Sequence, residues 1–235
     1  MLTAKTIQSR LRGLADSRDA KNLQWYFKTG PGEYGEGDVF AGIRVPALRK
    51  LVPEFQAANA RVLHALLASR IHEERLLALL IMVRRFERGD ESVRERLYRF
   101  YLSHTGRINN WDLVDLSAPT IVGGWLADKD RAPLRRLARS AALWERRIAV
   151  LATFAFIRRG EFDDALAVAD RLLADRSDLI HKAVGWMLRE VGKRDVAVEE
   201  AFLRPRCRTM PRTMLRYAIE RFPETKRQAY LRGTV

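Results

Sequence analysis

Apolar positions along this chain recur at three- and four-residue intervals almost from end to end, the period of amphipathic helices. The spacing predicts helices over residues 4–15 and 17–28, split near Asp16-Ser17. After a gap, Pro46 suits the first turn of a helix reaching about Ala57. Further helices are predicted near 60–69, 72–88, 90–103, 111–117, 119–127, 131–141, 144–159, 161–174, 178–193, 195–203, 211–221 and 223–231. Breakers separate them at Gly89-Asp90, Gly106, Asp128-Lys129-Asp130, Gly160, Asp175-Arg176-Ser177 and Arg204-Pro205. No parallel-sheet or hairpin pattern interrupts the series. The expected class is all-α.

Short breaks between helices predict stacked antiparallel pairs. The pairs recur at roughly 35–45 residues without exact sequence repeats, the period of HEAT-like arrays. Such arrays curve and present one continuous concave face. An irregular helical bundle is the other packing the pattern allows. No linker or low-complexity stretch divides the chain, so one domain over residues 1–235 is expected.

Composition narrows the function. The chain is 47% hydrophobic and 31% charged, as suits a soluble domain with a real core, and no apolar run approaches the ~20 residues of a membrane span. The start, Met1-Leu2-Thr3-Ala4-Lys5, lacks a long apolar signal segment, and Cys207 is the only cysteine. Intrachain disulfides and thiolate metal clusters are therefore excluded. The expectation is the cytoplasm of a bacterium. The formal net charge of +14 points to a polyanionic partner, most often nucleic acid. Of the 43 basic residues, 35 are Arg and 8 Lys, and Arg can grip phosphate with two parallel hydrogen bonds. No single amphipathic membrane anchor stands out.

The Gly-rich stretch Gly30-Pro31-Gly32-Glu33-Tyr34-Gly35-Glu36-Gly37-Asp38 lacks the Lys-Ser/Thr ending of a phosphate-cradling loop, and its carboxylates would repel phosphate. It is expected to be a structured connection. The four histidines, His64, His72, His104 and His181, show no zinc-ligand spacing. Candidate chemistry concentrates instead in Asn109-Asn110-Trp111-Asp112-Leu113-Val114-Asp115. Either asparagine can cap a helix. At about 100° per residue, Trp111 and Asp115 share a face while Asp112 points elsewhere. Two readings stay open from this stretch alone: an aromatic plate beside a working carboxylate, or a core tryptophan and a solvated charge.

Two later helices bear on that choice. In Trp144-Glu145-Arg146-Arg147-Ile148, Arg146 or Arg147 can leave the core side. In the helix near 178–193, Lys182, Trp186, Arg189 and Lys193 stand at i, i+4, i+7 and i+11, one stripe of three cations and an indole. Its expected use is phosphate contact, with the indole against a sugar or base; the alternative is a solvated face with Trp186 folded inward. A Schiff-base role for Lys182 would need a neutral amine, which a charged stripe does not favour.

These segments, together with His72-Glu73-Glu74-Arg75-Leu76-Leu77-Ala78-Leu79-Leu80, His181-Lys182-Ala183-Val184-Gly185-Trp186-Met187-Leu188-Arg189-Glu190 and Met210-Pro211-Arg212-Thr213-Met214-Leu215-Arg216-Tyr217-Ala218-Ile219-Glu220, resemble the AlkD-type DNA alkylation repair glycosylases over nearly the whole chain. The resemblance implies a curved right-handed solenoid of HEAT-like repeats. It implies excision of N3- and N7-alkylated purines from double-stranded DNA without base flipping, by a monomer using no metal or organic cofactor. It also implies a catalytic carboxylate at Asp115, with Trp111 and Trp186 framing the deoxyribose. Arg147 would approach the DNA near the lesion and Tyr26 would contact its backbone, while Lys182, Arg189 and Lys193 would hold phosphates. Two rival readings are a non-catalytic DNA-binding paralogue, suggested by the loop at 30–38, and a HEAT-like scaffold for an acidic protein.

Overall fold

The computed structural model describes residues 2–235, which fold as helices joined by short turns, with no strand among the described residues. An isolated parallel bridge joins Val39 to Ile71. The helices follow the predicted order, an all-α arrangement of the α-solenoid type. The chain forms two compact units, the first ending at Ser117 and the second beginning at Ala118.

The first unit holds α1 (Ala4–Arg12), α2 (Ser17–Tyr26), α3 (Val45–Phe55), α4 (Ala60–Leu67), α5 (His72–Arg88), α6 (Glu91–Leu102) and the start of α7 (Trp111–Ala118). Side-chain oxygens of Thr3, Asp16, Asn59 and Asp90 cap α1, α2, α4 and α6, which is why the breaks fall where they do. The spine is α5, which packs against α3, α4 and α6. Leu76, Leu77, Ala78, Leu79, Leu80, Ile81 and Met82 are buried in succession, so this helix has no solvent face along its middle. Its first turn is polar yet also buried: His72, Glu73, Glu74 and Arg75. The Glu73 carboxylate accepts the amides of Ala41, Gly42 and Ile43 at 2.9, 2.9 and 3.1 Å, which satisfies the connecting segment below it. Gly42 sits at φ +82°, and a β-carbon there would lie 2.0 Å from the Asp16 carbonyl oxygen, so the segment closes on α2 only with glycine.

The second unit opens with a π-type turn at Pro119–Gly123, then α8 (Gly124–Leu126), α9 (Ala132–Ala138), α10 (Leu143–Ala152), α11 (Phe154–Ile157), α12 (Asp163–Arg171), α13 (Asp178–Gly192), α14 (Val196–Leu203), α15 (Arg212–Ala218) and α16 (Glu224–Arg232). Here α13 is the centre, packed on α10, α12, α14 and α15. A β-carbon at Gly185 would lie 2.4 Å from the Met214 carbonyl oxygen, so that glycine sets the close approach of α13 and α15. The single helix predicted over 144–159 is interrupted at Thr153, whose hydroxyl donates to the Val150 carbonyl at 2.6 Å. The helix predicted over 119–127 starts as a π turn because Pro119 has no amide hydrogen for a regular ladder.

Candidate active site

In the first unit the site is built on the N-terminus of α7. The Asn110 side chain accepts the Trp111 amide at 2.8 Å and its carbonyl accepts the Val114 amide at 3.2 Å, so Asn110 is the cap. Leu113 and Val114 are fully buried and fix the helix on its core side. Trp111 and Asp115, one turn apart, are both half-buried and share the outer face. The Asp115 carboxylate lies near the buried Tyr101 of α6, whose hydroxyl is 2.9 Å from Ser117 Oγ. Burial pushes the Tyr101 phenol well above its ordinary range, and the charge of Asp115 adds to that.

Asp112 does point away from that face, as the helical angle requires. It is buried and belongs to a charge network. The imidazole of His72 lies between two carboxylates, with Nε2 2.8 Å from Asp112 Oδ2 and Nδ1 3.0 Å from Asp38 Oδ2. Arg75 donates to the other oxygen of Asp38 and, at 2.9 Å, to the Ser69 carbonyl. Asn110 Nδ2 donates to Asp38 at 3.2 Å. Burial alone would push His72 down, but the hydrogen bonds from its ring to Asp112 and Asp38 outweigh it and raise the group to about 9. Burial likewise pushes Asp38 up, but the His72 hydrogen bond and the Arg75 charge hold its carboxyl below the usual range. His72 is therefore an imidazolium that donates through both nitrogens. Asp38 ends the Gly-rich loop, so that loop is the clamp on the start of α7. Its exposed glutamates bond within the loop: Glu33 accepts the Gly30 amide and Glu36 the Gly32 amide, both at 2.9 Å.

An aromatic series backs the same helix. Trp111 stacks on Phe27 at 5.1 Å, Phe27 on Phe40 at 4.9 Å, and Phe40 on the His72 ring at 4.4 Å. Tyr26, 57% exposed, meets Trp111 edge-on at 6.1 Å. Of the predicted residues, Tyr26, Trp111 and Asp115 thus belong to one neighbourhood. Sequence reasoning missed Phe27, Phe40, Asp38, His72 and Asp112 as its supports. One signal points to them: four consecutive polar residues, 72–75, run directly into an apolar stretch that leaves no solvent-facing sector.

In the second unit, Lys182, Trp186 and Arg189 lie on α13, and Lys193 caps its end. Each cation meets a carboxylate: Lys182 and Asp178 at 2.7 Å, Lys193 and Glu190 at 2.5 Å, and Arg189 with Glu220. Trp186 is half-buried, donates Nε1–H to Glu190 at 3.2 Å, and tilts over Phe154 at 6.3 Å. Arg147 does not join that stripe. It is 5% exposed on α10 and donates to the Leu179 carbonyl at 2.5 Å, in the first turn of α13. Its neighbour Arg146 bonds Asp175 at 2.6 Å just before α13. Both arginines therefore fasten the start of the helix that carries Trp186. No group of three or more His, Cys, Asp or Glu side chains is arranged to hold a metal among the described residues, and no described helix is long and apolar enough to cross a membrane.

The fold and these two sets of residues define an α-solenoid-type protein with a carboxylate–indole face and a cationic helix. Residues 7–222 match the DNA alkylation repair enzyme family, and the chain belongs to that family. It therefore has a role in DNA alkylation repair, with DNA as its substrate. A solved structure named as a predicted DNA alkylation repair enzyme from Enterococcus faecalis superposes with a TM-score of 0.69, covering 89% of this chain and 97% of that one at 18% identity. At that identity the likeness speaks for the fold. No curated protein matches the chain.

Proposed function

We propose that this protein is a monofunctional DNA glycosylase that excises cationic N3- and N7-alkylated purines from duplex DNA without rotating the base into a deep pocket. The observation that carries the reading is the shared, half-buried face of Trp111 and Asp115 on a helix whose start is clamped by buried charges. Alkylation gives the purine a positive charge, so it leaves readily. The C1′–N bond breaks with its electron pair going to the purine, which departs neutral. Positive charge then develops on the deoxyribose. Asp115 stabilises that charge and orients a water. The water oxygen bonds to C1′, and its proton passes to solvent, leaving an abasic sugar. The indole of Trp111, on the same helix face as Asp115, favours that cation by about 0.5–2 kcal/mol.

Because the leaving group already carries charge, one carboxylate suffices and no strong general acid is needed. Lys182 pairs with Asp178 at 2.7 Å on an exposed face, which suits a phosphate contact and not a Schiff base. The test is release of 7-methylguanine from methylated duplex by the wild type and by Asp115→Asn. Release that depends on Asp115 supports the reading. No release by a folded wild type that still binds duplex moves the protein to a non-catalytic DNA-binding paralogue.

A further inference from the structure

The helix beside the candidate site carries a second stripe that the excision chemistry does not use. Arg18, Lys21 and Trp25 stand at i, i+3 and i+7 along α2, Lys28 follows just past its C-cap at φ +53°, and all four are exposed. Trp25 is 84% exposed, the most exposed large apolar side chain among the described residues. It is held on a rigid base, because the next two residues, Tyr26 and Phe27, are fixed against Trp111. The nearby carboxylates are largely engaged elsewhere. Asp16 caps α2, Asp19 pairs with Arg44 at 2.7 Å, and Glu33 accepts the Gly30 amide while lying 3.8 Å from Lys28. Among the described residues, Arg18 and Lys21 form no side-chain ion pair, unlike the cations of α13.

We infer that this stripe is a second DNA-binding element, in which Arg18, Lys21 and Lys28 meet phosphates and Trp25 stacks on a nucleobase whose face has been uncovered. The physical argument is one of fit. An exposed indole among cations matches a polyanion that offers flat apolar faces, and stacking on a base is tolerant of sequence. In an intact duplex those faces are hidden between neighbours. They become available where a base is missing, as in the abasic product of the proposed reaction. The stripe would therefore favour abasic over intact duplex and hold on to the product. This inference rests on the DNA-repair reading above, but not on the identity of the excised base.

The experiment is a binding titration of the full chain with two 20-base-pair duplexes, one intact and one with a stable abasic analogue, at several salt concentrations. Wild type should bind the abasic duplex more tightly. Trp25→Ala should lose about 10-fold on that duplex and much less on the intact one, while Trp25→Phe retains most of the preference. Arg18→Glu combined with Lys21→Glu should weaken both duplexes and flatten the slope of log K against log salt by about 2. All four positions are exposed, so these variants should fold as the wild type does. Equal binding of both duplexes by wild type and Trp25→Ala, with an unchanged salt slope in the charge-reversed variant, overturns the stripe while leaving the glycosylase reading standing. A wild type that binds neither duplex overturns both.

Discussion

Charge is used in opposite ways around α7 and along α13. At the start of α7, Asp38, His72, Arg75 and Asp112 are buried together and joined by hydrogen bonds, with Arg75 Nε left without a partner. On α13, Lys182 and Lys193 are partly solvated, and their carboxylate partners lie three or four residues away on the same helix. The first arrangement is costly to break, because removing one partner strands a charge away from water. The Lys182–Asp178 pair is cheap to rearrange, because both groups are exposed and such pairs contribute only ~0–1 kcal/mol, whereas Lys193 is tied to the buried Glu190. On the glycosylase reading proposed above, rigid placement suits a carboxylate that would meet a developing charge, and an exchangeable partner suits a cation that would leave a carboxylate for a phosphate.

The largest effect expected is on chemistry. Asp115→Asn should lower excision by at least about 100-fold while duplex affinity stays within a few-fold; single-turnover release and a binding isotherm measure the two. Full activity in that variant would falsify the assignment of Asp115.

Breaking the buried network should be the next largest. Asp38→Ala leaves His72 and Arg75 without their shared carboxylate and should cost about 3–5 kcal/mol in denaturant unfolding. A matched loss from Lys182→Ala would erase the contrast between the two regions.

The network should also write itself into the pH dependence. His72 is raised from 6.5 to about 9, so its contribution is full below about 6.5 and is lost as pH rises through about 9. Thermal melts from pH 6 to 10 should show Tm falling across that window, and His72→Gln should lower Tm at pH 6 and flatten the fall. An unchanged fall in that variant would assign the pH dependence to other groups. One such group is Glu199 in the second unit, which burial pushes up to about 8. A carboxyl raised in the folded state loses stability to the unfolded chain as pH climbs from about 4.5 to 8, so Glu199→Gln should raise Tm at pH 8 and leave it unchanged near pH 4.

The smallest effects belong to α13. Lys182→Ala should change stability by under about 1 kcal/mol, and Lys193→Ala by more, because it takes a cation from the buried Glu190. Each should still reduce the salt slope of duplex binding by about 0.9 if it meets one phosphate. A salt slope that does not move removes that residue from the DNA contacts.

Much of this protein is legible in the order of its residues alone. The helix order follows from apolar periodicity and from breakers such as Gly89-Asp90 and Gly160, because burying one face of each helix is a local requirement repeated along the chain. The angle between Trp111, Asp112 and Asp115 follows from helix geometry, and the α13 stripe follows from the same rule. Net charge and the family resemblance point to DNA, where the family match also leads.

The partners of each charge are decided by the tertiary structure. Asp38 and Asp112 stand 34 and 40 residues from His72, and no periodicity relates positions so far apart. Helical spacing lets Arg147 leave the core side, yet the side chain is buried and drawn to the Leu179 carbonyl 32 residues away. Local sequence sets which way a side chain leaves its helix, through 100° per residue. Which group it then meets depends on how separate helices pack, and a buried charge must find its partner there or lose its hydration uncompensated.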